Sequence, residues 1–322
     1  MIQLKVWGST GSIPACMSQK AYQEKIIYAL LEGGKKGVKT LKEAQKVYDS
    51  LPLHQKYYSV GSSSCYEILG LDDIFILDAG TGIRKLGLDL FNYRSQKKRV
   101  HMFFSHFHWD HIHGLPFFGP FYHPDYDLHF YAGHPKIEDR LAYQQVASHF
   151  PVSFHETASK KFFYDLNPQE IYEIGGAKIS ILPLKHPGGS YAYRFEIGSK
   201  IIAYATDGEY PSKDLSIEKF RNYIHFFKKA DVLIFDAMYT FSETEMIKAE
   251  WGHSSPNIGV ELAVEAEVKH LILAHHDPTS TDYDNAIKTQ NAQKYRDIYC
   301  RNYKKINKPK ISLAIEEGVL NL

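Results

Sequence analysis

Three imidazoles and a carboxylate fall within six residues of this chain, at His106, His108, Asp110 and His111 of Ser105-His106-Phe107-His108-Trp109-Asp110-His111. Neutral imidazole and carboxylate are the ligands that borderline divalent metals such as zinc prefer. In an extended or turning segment His106 and His108 point the same way, as alternate residues do. Asp110 and His111 open a helix and face back toward the same point, which suits two adjacent metals better than one. Chance is the bland alternative, since the chain holds 17 histidines in 322 residues. Folding alone, however, gives no reason for four such donors to sit so close together.

Two metals need more donors, and the ends of apolar runs supply them. His186 follows Ile179-Ser180-Ile181-Leu182-Pro183-Leu184, Asp207 follows Ile201-Ile202-Ala203-Tyr204-Ala205-Thr206, and His275 follows Leu271-Ile272-Leu273-Ala274. Each lies at the C-terminal end of an expected strand, where open sheets place their chemistry. Singly each reads as a turn or capping residue; together they read as a ligand set. The run His253-Ser254-Ser255 points to a different role. Ser254 or Ser255 can cap a helix, Pro256 sits in its first turn, and Ile258, Leu262 and Ala266 repeat at buried-face spacing. His253 then stands just before a helix N-terminus, which favours an anion. There it can act as general acid or as a hydrogen-bond donor to that anion.

Alternating strands and helices, in two similar halves, must position these groups. Strands are expected at Gln3–Trp7, Ser64–Leu69, Asp73–Leu77, Val100–Phe104, Leu128–Tyr131, Lys178–Leu182, Tyr191–Ile197, Ile201–Ala205, Val232–Phe235, His270–Leu273 and Ile311–Ala314. Helices are expected at Pro135–Ser148, Ser216–Lys229, Pro256–Ala266 and Asp284–Asn302. Two more, Ser18–Leu31 and Thr40–Ser50, are split by Gly33-Gly34-Lys35-Lys36-Gly37. The first carries Ile26, Ile27, Leu30 and Leu31 and the second Leu41, Ala44, Val47 and Tyr48, and such short helices need something to pack on. The pattern predicts an α/β chain of two packed sheets with helices outside.

Composition fits a large enzyme of one domain, residues 1–322, with 44% hydrophobic residues. A net charge of +1 offers no footprint for nucleic acid and weighs against tRNA as substrate. Cys16, Cys65 and Cys300 are odd in number and lack Cys-x-x-Cys spacing, which points to a reducing compartment, with the cytoplasm as default. No apolar run reaches the roughly 18 residues of a membrane span.

The order His-x-His-x-Asp-His, a later His, an Asp-Gly and a final His resembles the metallo-β-lactamase superfamily of dinuclear hydrolases, over nearly the whole chain. Val6–Pro14 resembles the opening of its phosphodiesterase branch. Leu77–Gly82 and Ile112–Pro116 match too, and Gly252–Ser255 is similar to the His-Ser-Thr signature of tRNA 3′-processing endonucleases and their small-substrate relatives. The resemblance implies a four-layer αββα sandwich with two zinc ions per chain, manganese being the other candidate. It implies one ion on His106, His108 and His186 and the other on Asp110, His111 and His275, with Asp207 bridging. His276 then supports the ligands from behind or faces substrate, or exchanges roles with His275. Asp78 orients the metal loop, or is a simple turn former. His253 and Asp110 form the catalytic set, and Ser254 and Ser255 contact substrate. Two close ions acidify a shared water, so attack on a phosphodiester becomes feasible near neutral pH.

The chain departs from that family twice. Residues 18–58 form a helical insertion that relatives cross in far fewer residues, read as a lid, a dimer contact or a surface hairpin. Val60-Gly61-Ser62-Ser63-Ser64-Cys65 lacks the Asn that relatives carry in this loop. With the neutral charge and no long Gly/Pro-rich arm, the expected substrate is a small phosphodiester, 3′,5′-cyclic nucleotides first. Cyclic sugar phosphates or RNA ends are the alternatives, and a binding module without catalysis is the alternative of another class. A lactam or thioester hydrolase would not call for the His253-Ser254-Ser255 helix start. Family analogy also implies a homodimer.

Overall fold

A computed structural model describes residues 1–94, 96, 98–210, 217–240 and 251–322. Six strands lead through the first half: β1 (Gln3–Gly8), β2 (Cys65–Leu69), β3 (Ile74–Leu77), β4 (Arg99–Phe104), β5 (Asp127–Ala132) and β6 (Lys160–Asp165). Eight follow: β7 (Tyr172–Ile174), β8 (Ala177–Leu184), β9 (Ser190–Ile197), β10 (Lys200–Ala205), β11 (Val232–Asp236), β12 (His270–Ala274), β13 (Lys310–Leu313) and β14 (Val319–Asn321). They form two seven-stranded sheets, ordered β14-β1-β2-β3-β4-β5-β6 and β13-β12-β11-β10-β9-β8-β7.

Runs such as Ile74-Phe75-Ile76-Leu77 are apolar at every position because both faces of the strand are covered. Phe75 and Leu77 join a core between the sheets with Ile179, Ile181, Ile202 and Tyr204. Ile74 and Ile76 turn outward to Ile83, Leu86 and Leu90. On the far side Leu233, Phe235, Leu271 and Leu273 pack on Val260, Leu262 and Ala263. The result is the expected four layers.

The helices are α1 (Gln19–Lys35), α2 (Leu41–Ser50), α3 (Leu53–Lys56), α4 (Ile83–Tyr93), α5 (Trp109–Ile112), α6 (Ile137–Gln144), α7 (Ile217–Phe227), α8 (Pro256–Glu265) and α9 (Asp282–Asn302). Ser216, where one helix was expected to begin, lies outside the described residues. Helix α1 does not stop at the glycines but runs through Gly33 and Gly34 to Lys35. Its Lys25 pairs with Asp282 at 2.6 Å, tying the insertion to the start of α9. Of the apolar positions expected to pack on something, only Val47 is buried, while Ile26, Ile27, Leu30, Leu31, Leu41 and Tyr48 face solvent. Three strands (β6, β7, β14) and two helices (α3, α4) are additions to the sequence-based reading. The three cysteines are unpaired, and no described helix is long and apolar enough to cross a membrane.

Candidate metal centre

Strands β3 and β4 run parallel, as do β10, β11 and β12. Strand β8 shares the direction of β10, since both are antiparallel to β9. Their C-terminal ends therefore gather on one edge of the sandwich. Asp78 ends β3, the histidine loop follows β4, His186 follows β8, Asp207 follows β10, Asp236 closes β11 and His275 follows β12. The reversals are sharp. Ser12, Asp78, Asp207 and His275 are four of the nine residues other than glycine with positive φ among the described residues. Such backbone costs about 1–3 kcal/mol per residue and persists only where the surroundings fix it.

Three overlapping groups of donors result, and two of them hold the expected ligands. His106, His108 and His186 bring one ring nitrogen each within 4.8 Å of one another; Asp110, His111, Asp207 and His275 do so with two carboxylate oxygens and two ring nitrogens; and the third group joins Asp207 and His275 to Asp236 and His253. His108 Nδ1 and His186 Nε2 face each other at 3.0 Å. Asp207 stands between the groups. Its Oδ2 lies 3.1 Å from His111 Nε2 and its Oδ1 3.2 Å from His275 Nε2, and the same Oδ1 is 3.9 Å from both His106 Nε2 and His186 Nε2.

Hydrogen bonds behind these rings settle which nitrogen points inward. His111 Nδ1 donates to Asp78 Oδ2 at 2.7 Å and His186 Nδ1 to the Gly252 carbonyl at 2.9 Å, leaving both Nε2 atoms toward the cluster. Asp78 is fully buried. It also accepts from Ser105 N, Ser105 Oγ and, from the other sheet, Tyr204 Oη. This is more than a turn former does. Asp110 Oδ2 accepts from Ser12 N at 2.8 Å.

A divalent cation fits this donor set. His106 Nε2 is buried and finds no hydrogen-bond partner among the described residues, a costly arrangement unless something charged completes it. Burial would depress the pKa of His111, but the carboxylates of Asp110, Asp207 and Asp78 overcome it and hold the pKa well above the ordinary value. Burial likewise opposes ionisation of Asp207, and the imidazoles of His111, His275 and His106 hold its pKa well below the carboxylate range. His106, buried and next to His111, is pushed far down and stays neutral.

His253 closes the cleft from another side. Its Nδ1 donates to Asp236 Oδ2 at 2.9 Å, and its ring stacks on His275 with centroids 4.9 Å apart. Asp236 also accepts from the backbone N–H groups of Asp207 and Met238, so one carboxylate positions His253 and the Asp207 turn. Asp236 is the residue that the sequence reading missed. It ends an apolar strand just as Asp207 follows one, a signal that by itself does not separate it from a turn former. Ser12, Phe107, His108, Trp109, Asp110, Asp207, His253 and His275 line the cleft, which encloses about 420 Å³.

The three residues expected at the substrate are all buried. His276 is 1% exposed, and its Nε2 donates to the Ala314 carbonyl at 3.0 Å. It points away from the cleft because the positive φ of His275 delivers only that residue inward. Burial lowers its pKa to about 4. Ser254 and Ser255 are buried as well, and Ser255, at the N-cap of α8, makes no side-chain capping bond.

The sequence profile described as Beta-lactamase superfamily domain matches residues 74–276. Ribonuclease Z of Prochlorococcus marinus (strain NATL1A) is 26% identical over 264 residues, spanning 65% of this chain and 79% of its own length. Among solved structures, the metallo-beta-lactamase fold protein YhfI from Bacillus subtilis superposes with a TM-score of 0.63 at 18% identity, covering 99% of this chain and 98% of that one. Unliganded yeast PDE1 superposes with a TM-score of 0.61 at 13% identity, covering 100% and 99%. At such identities a structural likeness speaks for the fold alone.

Proposed function

This chain belongs to the β-lactamase superfamily, and from that premise we propose that it is a metal-dependent phosphodiesterase acting on a small phosphodiester, 3′,5′-cyclic nucleotides first. The observation that carries the reading is the His253–Asp236 pair, set on the same cleft as both donor groups. His106, His108 and His186 would hold one ion, and Asp110, His111 and His275 the other, with Asp207 between them; zinc suits these donors best and manganese next. When bound, such ions supply a water acidified toward neutrality and positive charge against the phosphoryl oxygens.

The rest of the work falls to the chain. Asp236 keeps the Nδ1–H of His253 and so fixes the ring's orientation. The protonated ring then delivers Nε2–H to the oxygen that leaves the phosphorus. Asp78 and the Gly252 carbonyl hold the rings of His111 and His186 in register. The ribonuclease Z relative favours an RNA end as the second reading.

The test is dependence on the leaving group. With cyclic AMP, His253→Ala lowers kcat by about 10²-fold while metal content stays at the wild-type value. With bis(p-nitrophenyl) phosphate, whose phenolate leaves without a proton, the loss stays within a fewfold. Equal losses on both substrates would remove His253 as general acid. Rapid hydrolysis of RNA ends with none of cyclic mononucleotides would replace the leading substrate by the second.

The insertion at 18–58 supplies none of the residues lining the cleft, and we propose that it is a surface for a second copy of the chain rather than a lid. Three unpaired thiols support a reducing, cytoplasmic location.

A further inference from the structure

The chain has three tryptophans, and only one behaves as a core residue. Trp7 is 4% exposed and donates its Nε1–H to Glu67 at 3.0 Å. Trp109 is 73% exposed and Trp251 is 58% exposed. Indole is the largest amphipathic side chain and normally buries most of its surface. Trp109 borders the metal centre itself, and Trp251 adjoins it through its neighbour in the chain. Trp109 stands between His108 and Asp110 in the histidine loop and lines the cleft beside Phe107. Its ring lies against His113 only loosely, with centroids 5.9 Å apart and 33° between the planes. Trp251 precedes Gly252, whose carbonyl holds His186 against His108.

Nothing in the fold calls for an indole at position 109. The side chains before and after it are donors to the cluster, so the residue between them projects at the mouth of the same cleft. A polar side chain there would leave the cluster intact. What an exposed indole adds is a flat π-face next to the donor cluster. Every nucleobase can stack on such a face, whereas a sugar phosphate without a base cannot. We propose that Trp109, assisted by Trp251, is the stacking platform for the base of the substrate. The proposal rests on the phosphodiesterase reading and narrows it to base-bearing phosphodiesters, setting cyclic sugar phosphates aside.

Two measurements test it. In kinetics, Trp109→Ala raises KM for cyclic AMP by roughly 10- to 100-fold, the span expected for losing one base–aromatic stack, with kcat within about threefold. Trp109→Phe restores most of the loss. KM for ribose 1,2-cyclic phosphate, where it is turned over at all, does not change. Trp251→Ala moves KM in the same direction by less. A short oligoribonucleotide assayed alongside cyclic AMP tells whether the stacked base belongs to a free nucleotide or to an RNA end. In binding, adenosine 5′-monophosphate quenches the intrinsic tryptophan fluorescence of the wild type saturably, and ribose 5-phosphate does not. The quench is lost in Trp109→Ala. An unchanged KM in Trp109→Ala, or equal quenching by both ligands, overturns the platform. If the wild type hydrolyses no phosphodiester, the phosphodiesterase reading fails. The quench still decides the platform in that case: selective quenching by the nucleotide sustains base stacking, and its absence ends it.

Discussion

Asp207 is the residue on which the two donor groups depend jointly. Its carboxylate lies 3.1 Å and 3.2 Å from His111 and His275 on one side and 3.9 Å from His106 and His186 on the other. His186 faces only the group of His106 and His108. If the centre holds two ions as proposed, Asp207→Ala therefore removes both and His186→Ala removes one. Metal analysis of the purified variants beside the wild type checks this, and equal losses in the two variants would deny Asp207 its bridging place. The residues of this centre were unequally legible. Four donors within six positions stand out, because imidazoles and carboxylates so close together have no folding purpose. Asp236 does not, because a single Asp at the end of an apolar run looks like any turn former. Its role emerges only when the fold brings residues 17 positions apart, Asp236 and His253, to 2.9 Å. For His276 the backbone angle at His275 is what the sequence hides: His275 turns into the cleft, and His276 turns to the Ala314 carbonyl.

The elements that carry these residues hold them through tight backbone approaches rather than long contact surfaces. Gly252 has φ +86°, and a Cβ there would come within 2.2 Å of His186 Nδ1. Gly252→Ala thus meets two obstacles at once: a left-handed backbone that an L side chain rarely adopts, and the ring that its own carbonyl orients. The backbone alone costs about 1–3 kcal/mol. The variant is expected to melt several degrees lower and to bind one ion fewer, with His111 and its partners still loaded. Thermal unfolding with metal analysis distinguishes this from simple destabilisation, which would lower Tm at full metal content. The same reliance on backbone explains which elements the sequence hid. Strands β7 and β14 have three residues each, too few for any alternation to register. β6 is a sheet edge whose run Lys160-Lys161-Phe162-Phe163-Tyr164-Asp165 is mostly exposed. α4 carries a glycine, Gly87, in mid-helix because a Cβ there would crowd Phe118 and Gly119, and that glycine breaks the helical signal. An inner strand such as β3 was legible because covering on both faces makes it apolar throughout, and the longer β8 because its burial alternates.

At the scale of the whole molecule the reversed polarity of α1 is what the fold leaves unexplained. Its Lys25 side faces the body and pairs with Asp282. Its apolar side, Tyr22, Ile26, Ile27, Leu30 and Leu31, is between 42% and 69% exposed. A surface helix ordinarily does the opposite. That stripe runs from Tyr22 to Leu31, which at about 1.5 Å per residue gives roughly 15 Å of apolar surface. A two-fold axis through that stripe presents it to an identical stripe, the commonest way for a chain to cover such a face. Full burial of an aliphatic side chain is worth about 1.5–3 kcal/mol. Ten half-exposed side chains on two copies therefore contribute on the order of 10 kcal/mol, comparable with the 4–15 kcal/mol that association costs. The balance predicts a dimer that forms and dissociates with concentration. A net charge of +1 offers little repulsion between copies. Sedimentation of the wild type should move from monomer toward dimer as concentration rises. Ile27→Asp with Leu30→Asp should hold it at monomer and leave turnover of cyclic AMP unchanged, since no residue of the insertion lines the cleft. If the double variant sediments like the wild type but its KM rises, the insertion is a lid after all. In that case the exposed stripe serves the closed state of the cleft and not a second chain.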